Sequence, residues 1–267
     1  MHQEIHAGGK NHPLHYVQTG NGATLLLIHG SLCDYRYWRW QLPALSQDYR
    51  VIAPSLRGCW PEALTREDDS YSIARHVSDL QALIQETSPA RPVHVLGHSR
   101  GAQVALQLAA NAPEAVRSLI LADPGFRFEN EPPAAAFHTR VVDRLRQGDV
   151  EEALADFIDS VNAPNTWRHM VGWFKTMVKD NAYTLLSQVH EINLPVKMDD
   201  ATSLQCPVLL IGGANSPSRY GSRIDRLEQA ITQAERVTIP LASHGMNLGN
   251  PKAFNQAVLD FLNQVEH

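Results

Sequence analysis

The sequence predicts an α/β fold in which one mostly parallel β-sheet has helices packed on both of its faces. Short apolar runs alternate with stretches of helical periodicity through residues 24–122, and the connections between them are short. The same alternation returns from residue 207. Several of the runs are apolar without interruption, which is typical of strands buried on both faces, and such strands need helices to cover them.

The predicted elements follow one another closely in the first half of the chain. Residues 35–45 and 73–84 have apolar side chains at helical spacing, and Ser72 is placed to cap the second of these helices. A third helix follows Ser99 and should end near Pro113, because proline cannot continue a helix. The strands predicted around these helices span residues 14–19, 24–28, 50–53, 93–96 and 116–121.

The alternation stops in the segment 126–204. It has no convincing strand pattern, and apolar residues such as Leu154 and Phe157 recur there at helical spacing. We interpret residues 126–204 as a helical cap inserted into a core formed by residues 1–125 and 205–267. The core then resumes with strands at 207–213 and 236–239, a helix around 224–231 and a final helix from Pro251.

Length and composition are those of an ordinary globular protein. The 267 residues are 43% hydrophobic and 19% charged, with a formal net charge of −5. There is no basic run for nucleic acid or an anionic membrane, no apolar run long enough for a bilayer span, and no apolar core of a secretory signal. The three cysteines lack the spacing of a metal site or a disulfide framework. We expect a cytoplasmic monomer or homodimer whose partner is a small-molecule substrate, without metal, nucleic acid or membrane.

A Gly-x-Ser-x-Gly pattern stands between a strand and a helix at residues 97–101. The β-branched run 93–96 leads into it and helix-forming residues follow at once, which is the context of a nucleophile elbow. Gly97 and Gly101 suit a turn that brings strand and helix close together. The free N–H groups at the start of the helix would stabilise negative charge on a tetrahedral intermediate. We therefore predict that Ser99 is a catalytic nucleophile.

These residues resemble the α/β-hydrolase superfamily over nearly the whole chain outside the inserted segment. His29-Gly30 is similar to its oxyanion motif, and Leu56-Arg57-Gly58 is similar to its Asp-x-Arg-Gly loop, with Ser55 in the aspartate position. His244-Gly245, before the last helix, stands in the place of its catalytic histidine. The resemblance implies an eight-stranded, mostly parallel sheet and a catalytic order of nucleophile, acid and histidine.

His244 is predicted to be the general base. A serine needs a neighbouring base to lose its proton, and the loop that carries His244 follows a strand whose carboxyl end lies at the edge where Ser99 is expected. The acid departs from the superfamily's pattern, because Asn215 stands in its usual slot and an amide carries no charge. The resemblance offers Asp123, at the end of the preceding strand, since some members take their acid from that position. Asp225 and a dyad without an acid are the alternatives.

The backbone N–H groups of Ser31 and Arg100 are predicted to form the oxyanion hole. The Arg100 guanidinium has two interpretations, since it could hold a substrate carboxylate or pair with an acidic residue of the fold. His29 and His98 flank the motifs, either as structural histidines or as part of the substrate pocket. The remaining pocket candidates, with core packing as the alternative for each, are Asp34, Trp38, Trp167, Trp173 and Phe174.

These residues predict a cofactor-independent serine hydrolase of an ester or lactone, in which Ser99 forms an acyl-enzyme, His244 transfers the proton and water releases the acid. Hydrolysis of a C–C bond in a diketone needs the same parts and is a close variant. Cofactor-free dioxygenases of heteroaromatic substrates in this superfamily are similar in taking their acid from the Asp123 position, although they usually have histidine where this chain has Arg100. A receptor that binds a ligand without turnover is the third class, suggested by Asn215.

Overall fold

The computed structural model of this protein describes residues 4–10, 12–131, 137–192 and 194–267. Its strands form one sheet, which confirms the predicted α/β fold with eight mostly parallel strands. The strands are β1 (Glu4–His6), β2 (Tyr16–Thr19), β3 (Thr24–Ile28), β4 (Arg50–Pro54), β5 (Val93–His98), β6 (Val116–Ala122), β7 (Val208–Gly213) and β8 (Ala234–Ile239).

The α-helices alternate with the strands in the core, and in the described residues between β6 and β7 they follow one another without an intervening strand. Ser72 caps the second helix as predicted, because its Oγ accepts a hydrogen bond from the Arg75 N–H at 3.2 Å. No helix in the described part of the chain has the length and apolar composition needed to cross a bilayer. The helices are α1 (Leu42–Leu45), α2 (Ile73–Thr87), α3 (Arg100–Asn111), α4 (Phe137–Gln147), α5 (Val150–Val161), α6 (Thr166–His169), α7 (Gly172–Asp180), α8 (Thr184–Gln188), α9 (Met198–Thr202), α10 (Ser218–Ala230), α11 (Met246–Gly249) and α12 (Pro251–Glu266).

The order of the strands across the sheet is β1-β2-β4-β3-β5-β6-β7-β8. β2 pairs antiparallel with both β1 and β4, whereas the pairs from β4 through β8 are parallel. His98, at the end of β5, is in register with Ala122, at the end of β6, and Ala122 pairs with Ile211 of β7. The loops that follow these three strands therefore leave the same edge of the sheet side by side.

Both faces of the sheet are covered, which explains why the strands are apolar without interruption. In β3, Leu25 and Leu27 belong to the hydrophobic core on one face, and Leu26 and Ile28 belong to the core on the other. The first core includes side chains of α12 and of the helices between β6 and β7, and the second includes those of α2, α3 and α10. Alternate residues of one strand thus hold two helical layers to the sheet.

The predicted helix over residues 35–45 is wrong in its extent. The chain instead forms a 3₁₀ turn at Tyr35–Trp38 and resumes as the short helix α1. Asp34 caps the 3₁₀ turn, since its Oδ1 accepts from the Arg36 N–H at 2.9 Å. Pro43 lies in the first turn of α1, where its missing N–H is tolerated, whereas inside one continuous helix it would remove a hydrogen bond to the preceding turn.

The segment between β6 and β7 contains α4 to α9 in its described residues and is fastened to the loops of the sheet. The side-chain amide of Asn181 donates to the Asp34 carboxylate at 2.7 Å, in the loop after β3. Ser187 Oγ accepts from the Asp68 N–H at 2.8 Å, in the loop after β4. These contacts fix one side of the segment to the carboxyl edge of the sheet.

The helix α3 approaches β3 and β5 very closely at its first turn. A Cβ at Gly101 would meet the carbonyl oxygens of Ile28 and His29, and a Cβ at Gly97 would lie 2.7 Å from the Cβ of Ala105. Contacts this short are repulsive, so no larger residue fits at either position without a shift of the backbone. The two glycines of the Gly-x-Ser-x-Gly pattern are required by this packing.

Replacing Gly101 with Ala should lower the free energy of unfolding by about 1–3 kcal/mol, because the carbonyl groups it meets belong to backbone that cannot move aside freely. Urea denaturation measures the change. Gly221→Ala is the matched control, since Gly221 lies inside α10 and a Cβ there meets nothing within 4 Å. That variant should gain about 0.5–1 kcal/mol. A Gly101→Ala protein as stable as the parent would contradict the close packing of α3.

Candidate active site

Ser99 lies at the sharp turn between β5 and α3. Its backbone has φ 56° and ψ −122°, a region that residues with a side chain rarely adopt. Hydrogen bonds hold it there, because the Ser99 N–H donates to the Ala122 carbonyl at 3.0 Å and the Ser99 carbonyl accepts from the Gly125 N–H at 2.9 Å. The turn is thus tied to the loop after β6, and the strain is supported by tertiary contacts.

The structure brings the three predicted catalytic side chains into one hydrogen-bonded series. His244 Nε2 lies 3.0 Å from Ser99 Oγ, and His244 Nδ1 lies 3.2 Å from Asp123 Oδ2. A carboxylate can only accept, so Nδ1 carries the hydrogen and Nε2 is left to accept the serine proton. Asp123 is fully buried and His244 nearly so. This arrangement can activate a serine hydroxyl for attack on a carbonyl carbon.

Asp123 supplies the carboxylate that the uncharged amide of Asn215 cannot supply. It follows β6, and its Oδ2 also accepts a hydrogen bond from the Ser216 hydroxyl at 2.5 Å. The Gly213 N–H points at its other oxygen over 3.4 Å. Asn215 is exposed and holds the loop through its backbone N–H, which donates to the Ala242 carbonyl at 2.8 Å. Asp225, the alternative acid, pairs with Arg236 on the surface at 2.6 Å.

The imidazole of His244 is enclosed by two other rings. Tyr220 stacks on one side with ring centroids 4.1 Å apart and an interplanar angle of 15°, and His98 contacts it at 4.7 Å. His98 Nε2 donates to the His244 carbonyl at 2.7 Å. Burial lowers the pKa of His98 well below its usual value, and the neighbouring His244 lowers it further, so His98 is neutral. The orientation of His244 is therefore fixed at both the ring and the backbone.

Ser216 and Tyr220 are site residues that the sequence did not predict. Ser216 directly follows Asn215, and a hydroxyl beside the usual slot of the acid is the one signal that the sequence carries for it. Tyr220 lies in α10, where a tyrosine facing the sheet is indistinguishable by pattern from one that packs in the core. Both act through contacts with residues that are distant in the sequence, which periodicity does not reveal.

The predicted oxyanion donors lie against Ser99. A Cβ at Gly30 would fall 2.9 Å from the Ser99 Cβ, which places the turn that contains Ser31 directly beside the serine. A Cβ at Gly125 would lie 2.7 Å from the Arg100 nitrogen and 2.9 Å from Ser99 Oγ. Among the described residues, neither the Ser31 nor the Arg100 N–H donates to a protein acceptor. Both are free to bind an oxygen atom at the serine.

A cavity of about 460 Å³ opens above Ser99 and His244. Of the predicted pocket residues, His98, Trp173 and Phe174 line it, together with Ser31. Most of its wall is apolar and comes from α5 to α7 and from the loops before α1 and after β8. Its further apolar lining includes Tyr37, Trp40, Phe157, Ile158, Val161, Met170, Val171, Leu241 and Leu248.

Four predicted pocket residues lie outside this cavity. His29 is buried and its Nε2 accepts a hydrogen bond from the Leu56 N–H at 2.9 Å, and burial lowers its pKa. The Asp34 carboxylate is held by Arg36, at 2.7 and 2.9 Å. Trp38 is fully buried in the core, and the indole N–H of Trp167 donates to Glu151 at 2.9 Å. Each of these side chains is held by a structural contact or by core packing outside the cavity wall.

The Arg100 guanidinium pairs with an acidic residue of the fold, which is the second of its two interpretations. Its Nη2 donates to Glu191 at 2.9 Å, and Arg100 is absent from the cavity wall among the described residues. Glu191 also accepts from the Ile73 N–H at the start of α2. The pair links the elbow to the inserted segment, and it does not present a cation to a substrate.

His76, in α2, is fully buried near this ion pair. Its ring packs edge-on against Tyr71 with centroids 4.7 Å apart, and neither ring nitrogen has a hydrogen-bond partner among the described residues. Burial lowers the pKa of His76 well below its usual value, and the charge of Arg100 lowers it further. His76 is therefore neutral in the folded protein.

No group of three or more His, Cys, Asp or Glu side chains in the described part of the chain could hold a metal ion.

Known proteins are similar to this chain over most of its length. A family model described as "Alpha/beta hydrolase family" matches residues 25–257.

Several curated proteins share 26% identity with this chain, including these two. One, from Caulobacter sp. (strain K31), is named provisionally as the carbamate hydrolase RutD, and the match covers 95% of this chain and 96% of that protein. The other is the pimeloyl-[acyl-carrier protein] methyl ester esterase of Aeromonas hydrophila, with coverage of 91% and 96%. The crystal structure of a hydrolase from Pseudomonas aeruginosa PA01 is 26% identical and superposes with a TM-score of 0.82, covering 97% of this chain and 98% of that one.

Replacing His76 with Phe should make the protein less sensitive to acid. Below pH 6.5 the unfolded chain binds a proton at this histidine and the folded chain does not, so stability falls as the pH falls. The parent should therefore lose up to about 2 kcal/mol more than the variant between pH 7 and pH 5. Urea midpoints at the two pH values measure the difference. His169→Phe, at an exposed site, is the control that should keep the parent's slope. An unchanged slope for His76→Phe would contradict a neutral buried His76.

Proposed function

The chain belongs to the alpha/beta hydrolase family, and from that membership we propose that it is a cofactor-independent serine hydrolase of esters or lactones. The observation that carries the proposal is the hydrogen-bonded series from Asp123 through His244 to Ser99 Oγ, which opens on an apolar cavity. A serine, a correctly oriented imidazole and a buried carboxylate are the parts that acyl transfer to serine requires.

The proposed reaction begins with attack of Ser99 Oγ on the substrate carbonyl carbon while His244 Nε2 accepts the hydroxyl proton. Asp123 stabilises the imidazolium that forms and keeps the ring in its reactive tautomer. The oxygen of the tetrahedral intermediate accepts hydrogen bonds from the Ser31 and Arg100 N–H groups. Collapse of the intermediate expels the alcohol, which takes the proton from His244. Water then attacks the acyl-enzyme by the same route and releases the acid.

In this proposal residues 126–204 act as a cap, and residues 1–125 and 205–267 form the catalytic core. Support comes from the division of the site. Every group in the proposed chemistry belongs to the core, whereas α5 to α7 supply much of the apolar wall of the cavity. A cap of this kind selects the substrate and excludes water, while the core performs the reaction.

The bond that is cleaved is proposed to be an ester or lactone bond, in agreement with the name of the Aeromonas hydrophila esterase. A carbamate, as in the name of the Caulobacter protein, offers the same electrophilic carbonyl carbon to Ser99. Cleavage of a C–C bond would use the same three side chains. A substrate panel should therefore include esters, lactones, a carbamate and a diketone.

The proposal predicts that a fluorophosphonate forms one covalent adduct with the parent protein and none with Ser99→Ala, because only an activated serine attacks phosphorus. Intact mass spectrometry measures the adduct. Ser243→Ala is the matched control, since Ser243 lines the same cavity and its hydroxyl has no hydrogen-bond partner among the described residues, and it should be labelled like the parent.

Absence of an adduct on folded parent protein would contradict an activated Ser99. Oxygen uptake with a hydroxyquinolone-like substrate would then indicate the dioxygenase alternative. Ligand binding without turnover would indicate a receptor.

Asp123→Asn should lower kcat by roughly 10³- to 10⁴-fold, because the amide neither stabilises the imidazolium nor enforces its tautomer. Asn215→Ala should change kcat little, since the Asn215 side chain is exposed and its backbone N–H remains. Steady-state kinetics on any ester turned over by the parent measures both. A large loss in Asn215→Ala with a small loss in Asp123→Asn would show that the acid is assigned wrongly.

A further inference from the structure

Exposed apolar side chains gather at the mouth of the cavity. Among the described residues, the large hydrophobic side chains that are exposed include Trp40, Val171 and Leu241, and all three line the cavity that contains Ser99. Their exposed fractions are 47%, 56% and 87%. A single exposed leucine is ordinary on a protein surface, but a group of such side chains around one opening marks a binding surface.

Leu241 is also held in a strained backbone conformation. Its φ is 57°, in the left-handed region that glycine and asparagine adopt more readily than a leucine does. It lies three residues before His244, in the loop after β8, and its side chain projects into solvent at the rim of the cavity. A strained residue near a reactive centre is an indication of function when the side chain has no structural contact to explain it.

The three side chains come from separate parts of the chain. Trp40 precedes α1 in the core, Val171 precedes α7 in the inserted segment, and Leu241 belongs to the loop that carries His244. The Arg39 guanidinium holds the first two regions together, because it lies 5.0 Å from the centre of the Trp40 ring and 4.5 Å from that of Trp173. Trp40, Val171 and Leu241 line one cavity together with Phe157, Ile158 and Phe174.

We propose that Trp40, Val171 and Leu241 form an apolar rim that binds the outer part of an ester's hydrocarbon chain, so that this enzyme prefers esters with long acyl or alkyl chains. The inference depends on the hydrolase function proposed above. It follows from continuity, since the rim extends the same apolar wall that Phe157, Ile158 and Phe174 form inside. A cavity of about 460 Å³ is near the lower end of the range for small-molecule sites, so a long chain attached to a bound ester reaches the rim.

The test compares Leu241→Asn with the parent on p-nitrophenyl acetate, butyrate, octanoate and dodecanoate, each below the concentration at which it aggregates. Asparagine adopts a positive φ readily, so the loop keeps its shape while the apolar side chain is lost. We expect kcat/KM for octanoate and dodecanoate to fall about fivefold or more, and that for acetate to stay within about twofold. Leu194→Asn is the control, because Leu194 is an exposed leucine outside the cavity, and it should match the parent. Equal losses at all chain lengths, or an equal loss in Leu194→Asn, would overturn the proposal.

Binding without turnover separates this inference from the proposed function. In a Ser99→Ala background, calorimetry should show that Leu241→Asn weakens binding of p-nitrophenyl octanoate but not of the acetate. If the parent cleaves no ester while this difference in binding persists, the hydrolase proposal fails and the rim is supported. The opposite result is also distinct. If the parent cleaves esters, and the Ser99→Ala protein binds the octanoate and the acetate equally with and without Leu241→Asn, the rim fails and the hydrolase proposal stands.

Two other occupants of the rim have distinct outcomes. If light scattering finds a dimer of the parent, a monomer of Leu241→Asn and the same chain-length preference in both, the rim is an interface between copies of the chain. If the parent sediments with phosphatidylcholine vesicles and cleaves long esters only when they aggregate, the rim binds a lipid surface. Either result would overturn its assignment to a single substrate chain.

Discussion

The buried carboxylate of Asp123 is the constraint on which the site depends. A charge without access to water is stable only when hydrogen-bond donors replace its hydration. The donors directed at it come from Gly213 at the end of β7, from Ser216 in the following loop and from His244 after β8. Satisfying one carboxylate therefore also aligns three loops at the carboxyl edge of the sheet.

The same edge is held together at Ser99. The glycines of the elbow let α3 approach β3 and β5, and the backbone of Ser99 is bonded to the loop after β6 that carries Asp123. The rings of Tyr220 and His98 then enclose the imidazole of His244. Ser99, Asp123 and His244 thus belong to the core, whereas much of the apolar wall of the cavity comes from the helices between β6 and β7. Because of this separation, a change in the helices between β6 and β7 alters the cavity wall without altering these three side chains.

The sequence predicts those features whose physical cause is local. Uninterrupted apolar runs indicate strands buried on both faces, and the place of Ser72 before a helical repeat predicts a cap. The direction of a side chain, in contrast, can depend on a partner far along the chain. Asp34 and Trp38 stand close to the oxyanion motif, yet Asn181 binds the first and the core encloses the second. The helix expected over residues 35–45 divides because Pro43 requires a new first turn.

The sequence by itself determined the alternation of strands and helices, the serine at the sharp turn and the histidine in the late loop, because backbone propensity and hydrophobic periodicity act between near neighbours. Only the tertiary structure decided that Asp123 faces His244, that Ser216 supports Asp123, that Arg100 pairs with Glu191 and that Leu241 stands at the mouth of the cavity. The first three are hydrogen bonds between residues 91 to 121 positions apart. Such contacts depend on strand order and on loop position at the sheet edge, and no local pattern in the chain records either.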